Sequence, residues 1–228
     1  MKDAIVLLSG GLDSATVLYM ALESGYRCRC LIFDYGQRHR KEIARARKIA
    51  KKAGCAYRVI KLPFPWRASA LLDKKADLPS GRSAGDMAGG IPSTYVPLRN
   101  TIFLSMASGW AEAIGAEAVF IGANAVDFSG YPDCRGAYFE AFDRLLEKGS
   151  KIGAEGRPIK IKAPLLEMKK SEIIASGAAL KVPYELTWSC YKGAKAPCGE
   201  CDACVLREKG FREAGLEDPI MGRRDDKS

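Results

Sequence analysis

The sequence predicts an α/β fold: a doubly wound parallel sheet with a small cysteine-rich region at its C-terminal end. Three observations predict it. Strand-like and helix-like patterns alternate from the start, glycines close the helical stretches, and four cysteines crowd into the region after residue 183. Short apolar runs set between helical patterns suit strands buried on both faces. Repeated βαβ order with right-handed crossovers places helices on both sides of such a sheet.

Residues 3–8 form the first apolar run and lead directly into Ser9-Gly10-Gly11. Residues 14–24 have helical periodicity and stop at Gly25, a C-terminal signal. A second strand spans Cys28–Phe33, a basic helix about 38–53 closes at Gly54, and a third strand spans Tyr57–Leu62. Residues 63–97 break the pattern with prolines and glycines and read as a long excursion that can act as a lid. Helical periodicity returns over about 99–114, followed by a strand at Ala118–Gly122 and a loop over 123–136. A helix (137–148), a strand (159–163) and a helix (169–180) follow. The boundary is expected at 182/183, with 1–182 as the α/β domain and 183–228 as a turn-rich metal-binding region. The charged tail Arg223–Ser228 is expected to fray.

At 228 residues, 47% hydrophobic and 28% charged, the chain can bury a substantial core. Its 36 Lys+Arg against 27 Asp+Glu give a net charge of +9, which favours anionic partners such as nucleotides, polyphosphate or RNA. No apolar run approaches the ~20 residues that span a bilayer, and the N-terminal apolar stretch is too short for a signal peptide. A cytoplasmic protein without a membrane partner is expected. Clustered cysteines in such a reducing compartment indicate metal binding in preference to disulfides.

The loop Leu8-Ser9-Gly10-Gly11-Leu12-Asp13-Ser14 lies between a strand and a helix. Two glycines let the backbone turn sharply against phosphate oxygens, and the helix N-terminus offers unpaired N–H groups and a positive dipole end. Ser9 and Ser14 can donate hydroxyl hydrogen bonds. Asp13 beside a polyanion requires a reason: it caps the helix or it helps hold magnesium. The loop lacks the Gly-Lys-Ser/Thr ending of a Walker A motif. It resembles the Ser-Gly-Gly-x-Asp-Ser signature of the PP-loop ATP pyrophosphatases. That resemblance implies cleavage of ATP between its α and β phosphates and adenylation of an oxygen atom.

Cys190, Cys198, Cys201 and Cys204 supply four thiolates within fifteen residues. A soft S₄ donor set suits a structural Zn²⁺, with no position left open for catalysis. An Fe–S cluster is the main rival, but no further cysteine follows in ferredoxin spacing.

With both motifs in view, the chain resembles the 7-cyano-7-deazaguanine synthases, the nitrile-forming enzymes of the queuosine precursor pathway. The residues that carry the resemblance run nearly end to end. They are Ser9–Ser14, Phe33-Asp34-Tyr35-Gly36-Gln37-Arg38-His39, Tyr95-Val96-Pro97-Leu98-Arg99-Asn100, Gly122-Ala123-Asn124 with Asp127 to Asp133, Pro164-Leu165-Leu166 with Lys169, and the four cysteines. The resemblance implies conversion of 7-carboxy-7-deazaguanine and ammonia to 7-cyano-7-deazaguanine through an adenylated acid and an adenylated amide. It also implies two ATP with Mg²⁺, one structural zinc per chain, and a homodimer. The expected partners are these small molecules, without nucleic acid or membrane.

Within that frame Asp13, Ser14, Arg99 and Lys162 are the candidate catalytic residues, Lys162 as a charge stabiliser for the adenylate. Leu8 to Ser14, with Phe33 and Tyr35 at the carboxyl edge of the sheet, are the candidate ATP contacts. Arg38, Asn124, Asp127 and Asp133 are candidates for the deazaguanine substrate, because an aspartate can accept both N1–H and the exocyclic NH₂. Each has a plain structural alternative: Phe33 as core, Arg99 in an ion pair, the aspartates as turn formers, Lys162 on a solvated strand. His39, the single histidine, reads as a surface residue at a helix start. Two other functions fit the loop: a PP-loop tRNA-modifying enzyme (thiolation or lysidine-type ligation), which the charge suits, and a zinc-stabilised nucleotide-binding module without catalysis.

Overall fold

The computed structural model describes residues 2–82, 90–124 and 130–221. Five strands, β1 (Lys2–Leu7), β2 (Tyr26–Asp34), β3 (Ala56–Lys61), β4 (Ala118–Phe120) and β5 (Lys160–Lys162), form one sheet of order β3-β2-β1-β4-β5. All four pairings are parallel. β1 shows why the central strand reads as a continuous apolar run. Ala4 and Val6 face one core cluster, Ile5 and Leu7 face the other, and all four are buried.

Helices cover both faces. α1 (Leu12–Glu23), α2 (Lys41–Lys52) and α6 (Lys170–Ala179) pack on one side. On the other lie α3 (Arg99–Ile114), α4 (Gly136–Gly149) and the short α5 (Lys151–Ala154). α2 is the most one-sided. Ile43, Ala46, Ile49 and Ala50 are buried, while Arg47, Lys48, Lys51 and Lys52 are exposed, as helical spacing requires. Among the described residues no helix is long and apolar enough to cross a membrane.

The C-terminal region departs from its turn-rich reading. A 3₁₀ turn at Tyr184–Leu186 is followed by α7 (Asp202–Glu213). Two of the four clustered cysteines flank its start, and Gly210 interrupts its apolar stripe, so its period is hard to see in the sequence. Phe211 of α7 packs edge-on against Tyr184, with centroids 5.5 Å apart, and both residues join the core of α1 and α6. The expected boundary at 182/183 thus falls in a segment that shares the main core. The helix expected over about 38–53 starts only at Lys41, after a turn with Gly36 at φ +87. In the 63–97 excursion, residues 83–89 lie outside the described residues, as does the tail expected to fray.

Candidate active site

Strand order reverses between β1 and β4, and a crevice opens beyond the carboxyl ends of the strands at such a point. A cavity of about 300 Å³ lies there. Leu8, Ser9, Asp13 and Ser14 line one side, Phe33, Tyr35 and Phe103 another, and Arg99 and Asn124 complete it. A smaller cavity of about 150 Å³ adjoins, also touching Ser9, Asp13 and Ser14, and is bounded by Gly11, Lys170 and Trp188.

The loop is held from within and from outside. Ser14 Oγ lies 3.0 Å from Ser9 Oγ, accepts from Ser9 N–H (3.2 Å) and donates to the Gly11 carbonyl (3.1 Å). Gly11 N–H in turn donates to Ser9 Oγ at 3.2 Å. Gly10 has φ +91, and a Cβ there would stand 2.2 Å from the Glu42 carbonyl oxygen. Only glycine lets α2 cross this close. From the other end of the chain, Trp188 N–H donates to the Gly10 carbonyl at 2.9 Å.

Asp13, in the first turn of α1, does not cap the helix; no side chain caps this end. Its two oxygens accept from Lys170 Nζ at 2.8 and 2.9 Å. Lys170 is a buried cation that the sequence reading missed. The available signal was its place next to Lys169, where helical phase turns the second lysine inward. Gly210 admits it, since a Cβ there would stand 2.4 Å from Lys170 Cγ. Lys162, the expected charge stabiliser, lines neither cavity. It is exposed on the edge strand β5, with Nζ 5.8 Å from the Tyr26 ring and 5.9 Å from the Phe120 ring. The lysine of this site is Lys170.

The far wall is aromatic. Phe33 stacks on Phe103 with centroids 4.0 Å apart, and Tyr35 meets Phe103 edge-on at 5.4 Å. Gln37 clasps the end of β2, donating to the Phe33 carbonyl and accepting from Tyr35 N–H. Burial is the main cause that raises the Tyr35 phenol above the ordinary range, and the neighbouring Arg99 opposes it. Arg99 keeps its charge although burial opposes it, because Tyr35, Tyr131 and Asp133 surround it with negative potential.

The substrate candidates separate. Asn124 lines the cavity and donates to the Met168 carbonyl at 2.7 Å. Arg38 reaches the cavity, but its guanidinium bonds the carbonyls of Ala70, Lys74 and Ala76 at 2.8–3.1 Å, which fixes the 70–76 segment. Asp133 lines neither cavity. Buried, it accepts from Asn100 N–H at 3.2 Å and so serves the first turn of α3. Leu98, the residue before that helix, is left-handed at φ +53 and offers no capping side chain, so Asp133 fills the need. Asp127 lies outside the described residues.

Two residues on the α2 side complete the cavity. His39 is not the surface residue expected: it is half-buried, and its Nε2 lies 3.0 Å from the Cys190 carbonyl. Glu42 is the only acidic residue in α2 and lines both cavities. Burial pushes its carboxyl up to about 7, against the pull of Arg99. Sequence reasoning passed over it because a lone glutamate in a basic helix looks like an ordinary surface ion-pair partner.

Cys190, Cys198, Cys201 and Cys204 place their Sγ atoms within 4.8 Å of one another. Cys198 and Cys204 sulfurs are 4.0 Å apart, close to the about 3.8 Å edge of a tetrahedral thiolate site. Backbone N–H groups of Cys198 and Cys201 point at the sulfurs of Cys190 and Cys198, both at 3.4 Å. Hydrogen bonds from Cys201 and Cys204 push the Cys190 thiol towards its thiolate. The cluster can therefore hold a metal ion. It also ties down the 63–97 excursion: Ser80 bridges to Cys201, and Arg82 forms a two-point ion pair with Asp202.

Comparison with known proteins agrees with this geometry. The family model for queuosine biosynthesis protein QueC matches residues 3–215. A 7-cyano-7-deazaguanine synthase from Nostoc punctiforme is 54% identical over 220 residues, covering 96% of this chain and 98% of that one. One from an Anaeromyxobacter species is 51% identical, covering 96% of each chain. Among solved structures, a U34-tRNA thiolase from Methanococcus maripaludis with its [4Fe-4S] cluster superposes with a TM-score of 0.50 at 16% identity, covering 100% of this chain and 78% of that one. That likeness concerns the fold alone. The end-to-end match shows that this chain belongs to the QueC family of queuosine biosynthesis proteins.

Proposed function

We propose that this protein converts 7-carboxy-7-deazaguanine and ammonia to 7-cyano-7-deazaguanine, using two ATP. The observation that supports this most is the Ser9–Ser14 loop forming one side of a cavity that also holds Tyr35, Arg99 and Asn124. A carboxylate does not exchange oxygen for ammonia directly, because hydroxide leaves poorly. Attack of the carboxylate on the α phosphorus of ATP releases pyrophosphate and turns that oxygen into part of AMP, a good leaving group. Ammonia displaces AMP to give the amide. A second adenylation, on the amide oxygen, permits elimination to the nitrile.

In this reading the loop and the α1 N-terminus cradle the phosphates, with Ser9 and Ser14 turning their hydroxyls from the bonds within the loop to the phosphate oxygens. Phe33 and Tyr35 form the apolar wall for the adenine. Arg99 faces the charge that develops on the transferred AMP, and Lys170 with Asp13 sets the field under the loop. Asn124 offers an amide to the deazaguanine, while Arg38 acts by fixing the 70–76 segment. Asp13 is also the loop carboxylate available to a Mg²⁺ that travels with ATP. The four cysteines would hold one zinc, which supplies cross-linking and no reaction step. The surroundings proposed are cytoplasmic, with a homodimer and a two-part division at 182/183.

The test is pyrophosphate release from purified protein given ATP, 7-carboxy-7-deazaguanine and ammonium, without RNA. Two pyrophosphates per nitrile, with the amide appearing transiently, are expected. Pyrophosphate release that ignores the acid and requires tRNA would overturn the reading.

A further inference from the structure

The reaction just proposed has a proton problem. Ammonium is the prevailing form of the nitrogen donor at neutral pH, and all four of its protons must leave before a nitrile stands. Two go as the acyl adenylate and ammonium become amide and AMP, and two more as the adenylated, protonated amide becomes nitrile and AMP. The C–O bond to AMP breaks in both rounds, and its electron pair leaves with the phosphate. Adenylation itself moves no proton to or from nitrogen.

We propose that Glu42 is the group that binds the incoming ammonium and accepts these protons one at a time, two in each round, passing each to solvent. This rests on the proposed function. Four observations place it there. Its carboxyl is in α2, whose backbone is locked against Gly10, so its position relative to the phosphate loop is fixed. Glu42 lines both cavities, and so stands where the phosphate side meets the aromatic side. The other carboxylate that lines the cavity among the described residues, Asp13, is bound by Lys170 through both oxygens. Glu42 makes no such ion pair among the described residues.

The groups that act on Glu42 come from three directions. They are Arg99 on α3, Tyr35 at the end of β2, and Cys190 with Tyr191 in the C-terminal segment; His39 shares its cavity. Burial and Cys190 favour the proton, while Arg99 opposes it. The balance at about 7 suits a group that must both take and release protons near neutrality.

The decisive variant is Glu42→Gln, which keeps the shape and removes the acceptor. Exchange of labelled pyrophosphate into ATP, driven by the acid without ammonium, reads adenylation alone. Amide and nitrile formation read the nitrogen steps. In Glu42→Gln, exchange should stay within about threefold of the wild type, and amide formation should fall about 100-fold or more. The deficit in amide formation should narrow as pH rises, because free ammonia arrives with the first of the two protons already lost. Glu42→Asp should recover part of the loss. Amide formation within threefold of the wild type would overturn the assignment. So would equal loss of exchange and amide formation, which marks a structural role. Wild-type protein that shows no acid-dependent exchange overturns the function itself.

Discussion

Lys170 Nζ sits 2.8 and 2.9 Å from the two carboxylate oxygens of Asp13, so the acidic residue of the phosphate loop is already neutralised from beneath. This resolves how an aspartate is tolerated next to a polyphosphate. Lys170 is about 10% exposed along its side chain and Asp13 about 26%. Asp13→Asn should abolish turnover and also lower stability by about 2 kcal/mol, because it removes the carboxylate from a buried ammonium. The double variant Asp13→Asn/Lys170→Met should regain part of that stability without regaining activity, as denaturant unfolding beside a pyrophosphate assay will show.

The two lysines separate cleanly. Lys162→Met, on the exposed edge strand, should keep turnover within about twofold and stability within about 0.5 kcal/mol. Lys170→Met should lose turnover. Equal losses in both variants would return Lys162 to the site.

Gly10 allows α2 to cross the loop, and its φ of +91 suits no other residue. Gly10→Ala should cost more than about 3 kcal/mol, combining left-handed strain with a clash against backbone that cannot turn aside. ATP affinity, read by titration on whatever fraction folds, should fall with it. An alanine variant of wild-type stability would mean that α2 is not fixed at this crossing.

Glu42 gives stability a pH dependence of predictable sign. Its carboxyl is raised from 4.5 to about 7, so the folded chain holds its proton more tightly than the unfolded chain. Its contribution to stability is greatest below the unfolded value, declines between about 4.5 and 7, and stays low above that. Glu42→Gln should therefore be more stable than wild type at pH 8, by up to about 3 kcal/mol, and close to it at pH 4. Melting curves at both pH values check this.

Metal removal should reach beyond the cysteines. A chelator, or Cys201→Ser, should lower the melting temperature by about 10 °C or more. Because Trp188 N–H holds the Gly10 carbonyl and its indole donates to the Cys190 carbonyl at 2.9 Å, ATP affinity should fall too. Metal analysis of the untreated protein should return one zinc per chain; iron with a visible charge-transfer band would reassign the site.

Sequence and structure agree where the physics is local. The β1 run, the glycine loop and the cysteine spacing are short patterns whose meaning needs no distant partner, and they point to the cavity and to the four cysteines that could hold a metal ion. The sequence reading failed where a side chain's role depends on what crosses it. Lys162 and Lys170 are equally basic in the sequence; only Gly210 of α7 and the loop across the sheet decide that one is buried and the other bathed in water. Asp133 reads as a base-reading aspartate until Leu98, with its left-handed backbone, leaves α3 in need of an acceptor. Glu42 escapes notice and His39 reads as a surface residue because a helix start carries no mark of which neighbour will fold onto it.

The hydrogen bond from Trp188 to Gly10 also has a temporal meaning during translation. At roughly 5–20 residues per second, a ribosome delivers Trp188 roughly 10–40 s after Gly10. For that interval the nascent chain carries a glycine loop whose backbone brace has not been made. A chain not yet extended to Trp188 therefore carries the loop without the contact that ties it to the cysteine-bearing segment.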